Sequence, residues 1–70
     1  MKHEIFEINE EFIRLDSLMK FSGMVATGGE AKYVIVDGLV RVNGECETRR
    51  GKKLRSGDVV EFEEFEITVK

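Results

Sequence analysis

Five cations fall within eight residues in the run Thr48-Arg49-Arg50-Gly51-Lys52-Lys53-Leu54-Arg55, and no acid interrupts them. Guanidinium forks match phosphate oxygens in pairs, and ammonium groups add compact point charge. Leu54 is expected to anchor the run while the charged heads stay in water. Gly51 is expected to let the backbone turn sharply, so that cations on either side converge. This suits the binding of a polyanion. Two further cations are candidates to join the patch. Lys32 should project from a helix on the side away from Ala31 and Ile35, and Arg41 from a strand opposite Val40 and Val42.

The formal net charge of -3 by itself speaks against a nucleic-acid partner, but its distribution does not. Positions 41–55 hold six basic residues (Arg41, Arg49, Arg50, Lys52, Lys53, Arg55) against Glu45 and Glu47, a local balance of +4. The remaining five basic and twelve acidic residues then carry -7. One basic face on an acidic body has this signature, as does a solvated basic turn.

Catalytic chemistry finds less support. A nucleophile with its base, a pair of carboxylates in a pocket, or a metal set would be needed, and none can be assembled. His3 is the only histidine and reads as a surface residue near a terminus. Cys46 is the only cysteine, so no internal disulfide is available, and a small half-buried role in a hairpin is expected for it. Gly28-Gly29 would let a phosphate approach the start of a helix, but Thr27 and Glu30 compete for the same donors and a tight interhelical turn explains the pair better. No phosphate-loop or dinucleotide fingerprint is present, and no cofactor is expected.

These residues must be placed by the elements around them. Ile5, Phe6 and Ile8 among Glu4 and Glu7 read as an edge strand ending near Asn9. Asn9 is positioned to cap a first helix, with Glu10 and Glu11 at its positive end and Phe12, Leu15, Leu18 and Met19 at helical spacing. Ser22-Gly23 should end that helix, and Met24 and Val25 should fold back on its last turn. Thr27-Gly28-Gly29-Glu30 has capping-box spacing and predicts a second helix that buries Ala31, Val34 and Ile35 and stops at Gly38. The period then turns to alternation. Val40-Arg41-Val42, the type I′ pair Asn43-Gly44, and Glu45 to Glu47 predict a hairpin. Ser56-Gly57-Asp58 marks a turn before a second hairpin built on Val60, Phe62, Phe65, Ile67 and Val69. Most of the five Phe and the single Tyr fall on expected core positions, which disfavours base stacking on single strands.

Seventy residues with 41% apolar and 36% charged composition and no proline predict one small folded domain over positions 1–70. Such a chain buries only about 60% of its unfolded surface, leaving little room for an enclosed catalytic pocket. The N-terminus lacks a secretory signal and no run of about 18 to 20 apolar residues occurs, so a cytoplasmic protein without membrane contact is expected.

From about position 12 to 62 the chain resembles the RNA-binding domain named after small-subunit ribosomal protein S-four, the αL motif. The resemblance rests on Arg14-Leu15-Asp16 with Leu18, on Thr27 with Ala31-Lys32, on Gly38-Leu39-Val40-Arg41-Val42-Asn43-Gly44, and on Gly57-Asp58-Val59-Val60. Short stand-alone bacterial members, associated with the ribosome or structured RNA, are especially similar. The resemblance implies an α+β fold, two short helices packed on a small, mostly antiparallel sheet. It implies structured RNA, ribosomal or transfer, as partner of a non-enzymatic monomer, with the ribosome as a further partner. The implied RNA-binding residues are Lys32, Arg41, Asn43, Arg49, Arg50, Lys52, Lys53 and Arg55. Many members have arginine where this chain has Gly28, which shifts the burden to Lys32, Arg41 and the 49–55 loop. Two other readings compete. A protein-binding adaptor would offer the basic loop to an acidic partner. A β-grasp sulfur carrier would share Val-Asn-Gly-Glu and Leu-x-x-Gly-Asp-x-Val, but its chemistry needs a terminal Gly-Gly where this sequence reads Ile67-Thr68-Val69-Lys70.

Overall fold

Alternate burial along residues 40–42, 59–62 and 65–69 sets one face of a sheet against the helices. In a computed structural model of the chain, which describes residues 2–70, the elements run β1 (Lys2–Phe6), β2 (Ile13–Arg14), α1 (Leu15–Phe21), α2 (Gly28–Val36), β3 (Val40–Val42), β4 (Glu45–Cys46), β5 (Lys53–Leu54), β6 (Val59–Phe62) and β7 (Phe65–Val69). The main sheet has the order β1-β7-β6-β3-β4, and β2 with β5 forms a separate two-stranded ribbon. Every pairing is antiparallel except β1 with β7. This is the expected α+β fold of two short helices on a mostly antiparallel sheet.

Val40, Val42, Val60, Phe62, Ile67 and Val69 point to the helix side and meet Leu15, Leu18, Met19, Ala31, Val34 and Ile35 in one core, which Leu54 completes from the ribbon. Each large aliphatic side chain so buried contributes about 1.5–3 kcal/mol.

Turn chemistry explains the element ends. Asn43 and Gly44 both have positive φ, 53° and 83°, as a type I′ turn requires. Gly38 stands at φ 79° and closes α2, its N–H donating to Ile35 O (3.0 Å) while Leu39 N–H donates to Val34 O (3.0 Å). At the other end of α2, Thr27 Oγ1 accepts from Glu30 N–H at 3.1 Å, and the Glu30 carboxylate reaches one residue beyond the expected box to accept from Ala26 N–H at 2.7 Å.

The first helix departs from expectation. It begins at Leu15, six residues after Asn9, and Phe12 lies outside it. Residues 13 and 14 are held extended by pairing with β5, and Arg14 at the N-cap makes no side-chain cap bond. Its free donors are satisfied by tertiary contacts instead. Leu15 N–H donates to Lys52 O (2.9 Å) and Asp16 N–H to Arg50 O (3.1 Å). A cap supplied by a segment more than thirty positions away leaves no local signal, so the capping preference of Asn9 misled. The first strand does occupy an edge, but it runs parallel to β7, with Ile8 N–H donating to Lys70 O (3.0 Å) and Lys70 N–H to Phe6 O (2.9 Å).

Candidate nucleic-acid interface

The basic run is not a free loop, because both of its ends are fixed. Leu54 is fully buried, β5 pairs with β2, and the carbonyls of Arg50 and Lys52 hold the start of α1. The backbone of residues 50–54 is thereby held against the start of α1, while Arg49, Arg50, Lys53 and Arg55 stay exposed. Lys53 lies opposite Arg14 in the ribbon register, and its Nζ stands 4.8 Å from the centre of the Phe12 ring, a cation–π contact that steadies an otherwise flexible chain.

Glu47 is one of three acids in contact with this group, beside Asp16 and Asp58, and it pairs with Arg49. Its carboxylate accepts from Arg49 Nε (3.0 Å), Arg49 Nη2 (3.2 Å) and Arg49 backbone N–H (3.0 Å). The Glu47 side chain is 12% exposed and that of Arg49 72%, so the anion is tucked beneath and the guanidinium faces outward. The hydrogen bond from the Arg49 side chain holds the Glu47 carboxyl below the usual carboxylate range, and the same bond raises Arg49. Lys52 lies close enough to Glu47 and to Asp58 for its charge to lower both.

Asp58 organises the far end of the run. Its carboxylate accepts from Arg55 N–H (2.8 Å) and from Asn43 Nδ2 (3.0 Å), while Asn43 Oδ1 accepts from Val59 N–H (2.9 Å). The Arg55 backbone bond, then the Asn43 amide and the charges of Lys52 and Arg55, hold the Asp58 carboxyl below its ordinary value.

Of the eight candidate residues, Arg49, Arg50, Lys52, Lys53 and Arg55 are brought together on this loop. Asn43 has both ends of its amide engaged in tying the β3–β4 turn to the start of β6. Arg41 sits on the sheet face away from the core, level with Cys46 on one side and Glu61 on the other. Lys32 is exposed on α2, beside Gly29, Tyr33, Val36 and Asp37.

Sequence reasoning did not single out Arg14 as a site residue. Its guanidinium pairs with Asp16 (Nη2 to Oδ2, 3.0 Å) and lies 3.8 Å from where a Cβ at Gly51 would begin. Gly51 does not adopt the positive φ expected of a sharp glycine turn, and a Cβ there would make only an ordinary contact with Arg14, which lies beside the basic run. Only the ribbon pairing reveals this, although Arg14 stands in the Arg-Leu-Asp piece of the family resemblance.

Two expectations about side chains are corrected. Cys46 is exposed, because β4 is a two-residue edge strand, and its thiol donates to Gly38 O at 3.4 Å. Most of the aromatic residues were expected in the core, but Phe62 alone of them is buried, with Phe6 and Phe65 partly buried against that core. Phe21 is 66% and Tyr33 67% exposed, since neither falls on the helix stripe that meets the sheet.

A small α+β scaffold that displays a braced cluster of cations defines a polyanion-binding module. The family model described as the S4 domain matches residues 6–70, and the chain belongs to the S4 domain family. It is 43% identical over 58 residues to the protein named "Probable ribosome maturation protein RlbA" of Bacillus subtilis (strain 168), covering 83% of this chain and 82% of that one. It is 35% identical over 57 residues to "Putative RNA-binding protein YbcJ" of Escherichia coli (strain K12), covering 81% of each.

Proposed function

We propose that residues 1–70 act as one non-catalytic RNA-binding domain. It holds structured RNA, ribosomal or transfer, by its phosphates and works as a cytoplasmic monomer in association with the ribosome. What supports this reading is that Arg14 and the segment Arg50 to Lys53 meet at the start of α1, with Arg49 and Arg55 flanking them in the same run. A rigid cationic surface that touches few bases reads the shape and backbone of a folded RNA. Membership of the S4 domain family supports it, as do relatives whose names speak of RNA binding and ribosome maturation. In this proposal Asn43 supports the surface from behind, Arg41 stands apart from it beside Glu61, and Lys32 approaches the RNA from α2.

The test is a double charge reversal, Arg50→Glu with Lys53→Glu, at two exposed positions. Affinity for a ribosomal RNA stem-loop should fall by 100-fold or more, since each reversal removes a cation–phosphate interaction worth on the order of 1.4 kcal/mol. The circular dichroism spectrum should not change. Wild-type affinity in the folded double variant would refute the reading.

A further inference from the structure

Gly29, Lys32, Tyr33, Val36 and Asp37 line an open depression of about 320 Å³ on the outer side of α2. Their spacing places them on one helical stripe, opposite the buried Ala31, Val34 and Ile35. Tyr33 is 67% and Val36 58% exposed, so a ring and an aliphatic group face water with nothing packed on them among the described residues. Among the same residues no hydrogen bond engages the Tyr33 hydroxyl or the Asp37 carboxylate.

Gly29 adds an independent observation. Its φ is not positive, and a Cβ built there would meet only Thr27 Oγ1 at 3.9 Å, an ordinary contact. The fold therefore does not require glycine at a helical position where alanine is more stabilising. What glycine does supply is an unobstructed flank beside the Tyr33 ring, one turn further on.

The chemistry of the depression is specific. A flat exposed ring with an open flank accepts a flat partner by stacking. Lys32 beside it suits the phosphate of the same nucleotide. Asp37 would repel a phosphate, so the group that reaches it must donate hydrogen bonds. Among the four RNA bases only guanine offers two adjacent donors, N1–H and N2–H, to a carboxylate that accepts through two oxygens. The end of α2 is also tied to the segment that leads into the cationic run. Gly38 at the end of α2 accepts from the Cys46 thiol, and Glu47 N–H donates to Val40 O at 2.9 Å, two residues before Arg49.

We propose that Tyr33 is the stacking platform for one unpaired guanine of the bound RNA, with Lys32 on its phosphate and Asp37 on its Watson–Crick edge. The inference rests on the RNA-binding reading above and adds to it a single nucleotide extruded from a stem.

The test uses three RNA hairpins that differ only in one bulged position: guanine, adenine, or no bulge. Wild-type protein should bind the guanine bulge most tightly. Tyr33→Ala should remove that advantage, a loss of about 5- to 150-fold, the range of one base–aromatic stack, and leave affinity for the unbulged hairpin unchanged. Tyr33→Phe should retain the advantage, and Asp37→Ala should bind guanine and adenine bulges alike. Tyr33 is the only tyrosine and no tryptophan is present, so its intrinsic emission reports the stack directly and should be quenched by the guanine bulge. Equal wild-type affinity for all three hairpins, with binding still abolished on reversal of Arg50 and Lys53, would overturn this inference and leave the RNA-binding reading intact. Failure to bind any hairpin would overturn both.

Discussion

Asp58 joins three segments through its own atoms. Its carboxylate holds the Arg55 N–H and the Asn43 amide, and its backbone carbonyl accepts from Val69 N–H at 2.8 Å. The lowered carboxyl pKa in the folded state means that the ionised form is the one these donors bind. A depressed folded value contributes stability that is complete above the unfolded aspartate value of 3.8 and is lost as pH falls through the lower folded value. The melting temperature should therefore change little near neutrality and begin to drop as pH approaches about 4. Asp58→Ala should melt lower at pH 7 and show a shallower acid drop in a thermal scan. Asn43→Ala removes two hydrogen bonds, a cost of about 1–3 kcal/mol, or roughly 4–24 °C in a domain of this size.

The β2–β5 ribbon is the element that makes the basic run a surface. It contributes two residue pairs, yet it fixes the start of α1, the position of Arg14 and the display of residues 49–55 together. Leu54 is its root in the core and has no exposed surface. Leu54→Ala removes that root at a cost of about 2–5 kcal/mol, a large fraction of the roughly 5–15 kcal/mol that holds a small domain folded. Urea titration should show a lower midpoint, and RNA affinity measured below the transition should also fall, because the cations lose their common support. An unchanged midpoint would mean that the ribbon does not brace the loop.

Along the chain the charge is unevenly distributed, although Asp16, Glu47 and Asp58 contact the basic segment in the fold. The balance of -7 outside positions 41–55 against +4 within them would favour an approach to RNA with the basic segment foremost. If about four to six phosphates are neutralised, log K should fall with log salt at a slope of roughly -3 to -5. Reversal of Arg50 and Lys53 should flatten that slope by about 2. A nearly flat wild-type dependence would show that phosphate neutralisation does not dominate.

Local chemistry alone was enough for much of this protein. Positive φ at Asn43, Gly44, Gly38 and Gly23, the Thr27 cap, the buried stripe of α2 and the alternation in β3, β6 and β7 all follow from residues within a few positions of one another. The cationic run was visible for the same reason, since its charges are contiguous. Tertiary structure decided what depends on distant partners. The late start of α1, the parallel seat of β1 against β7 and the approach of Arg14 to Gly51 each rest on which remote segment packs where. Periodicity and capping preferences describe a chain only against its near neighbours, and a backbone donor satisfied from more than thirty residues away leaves no trace in them.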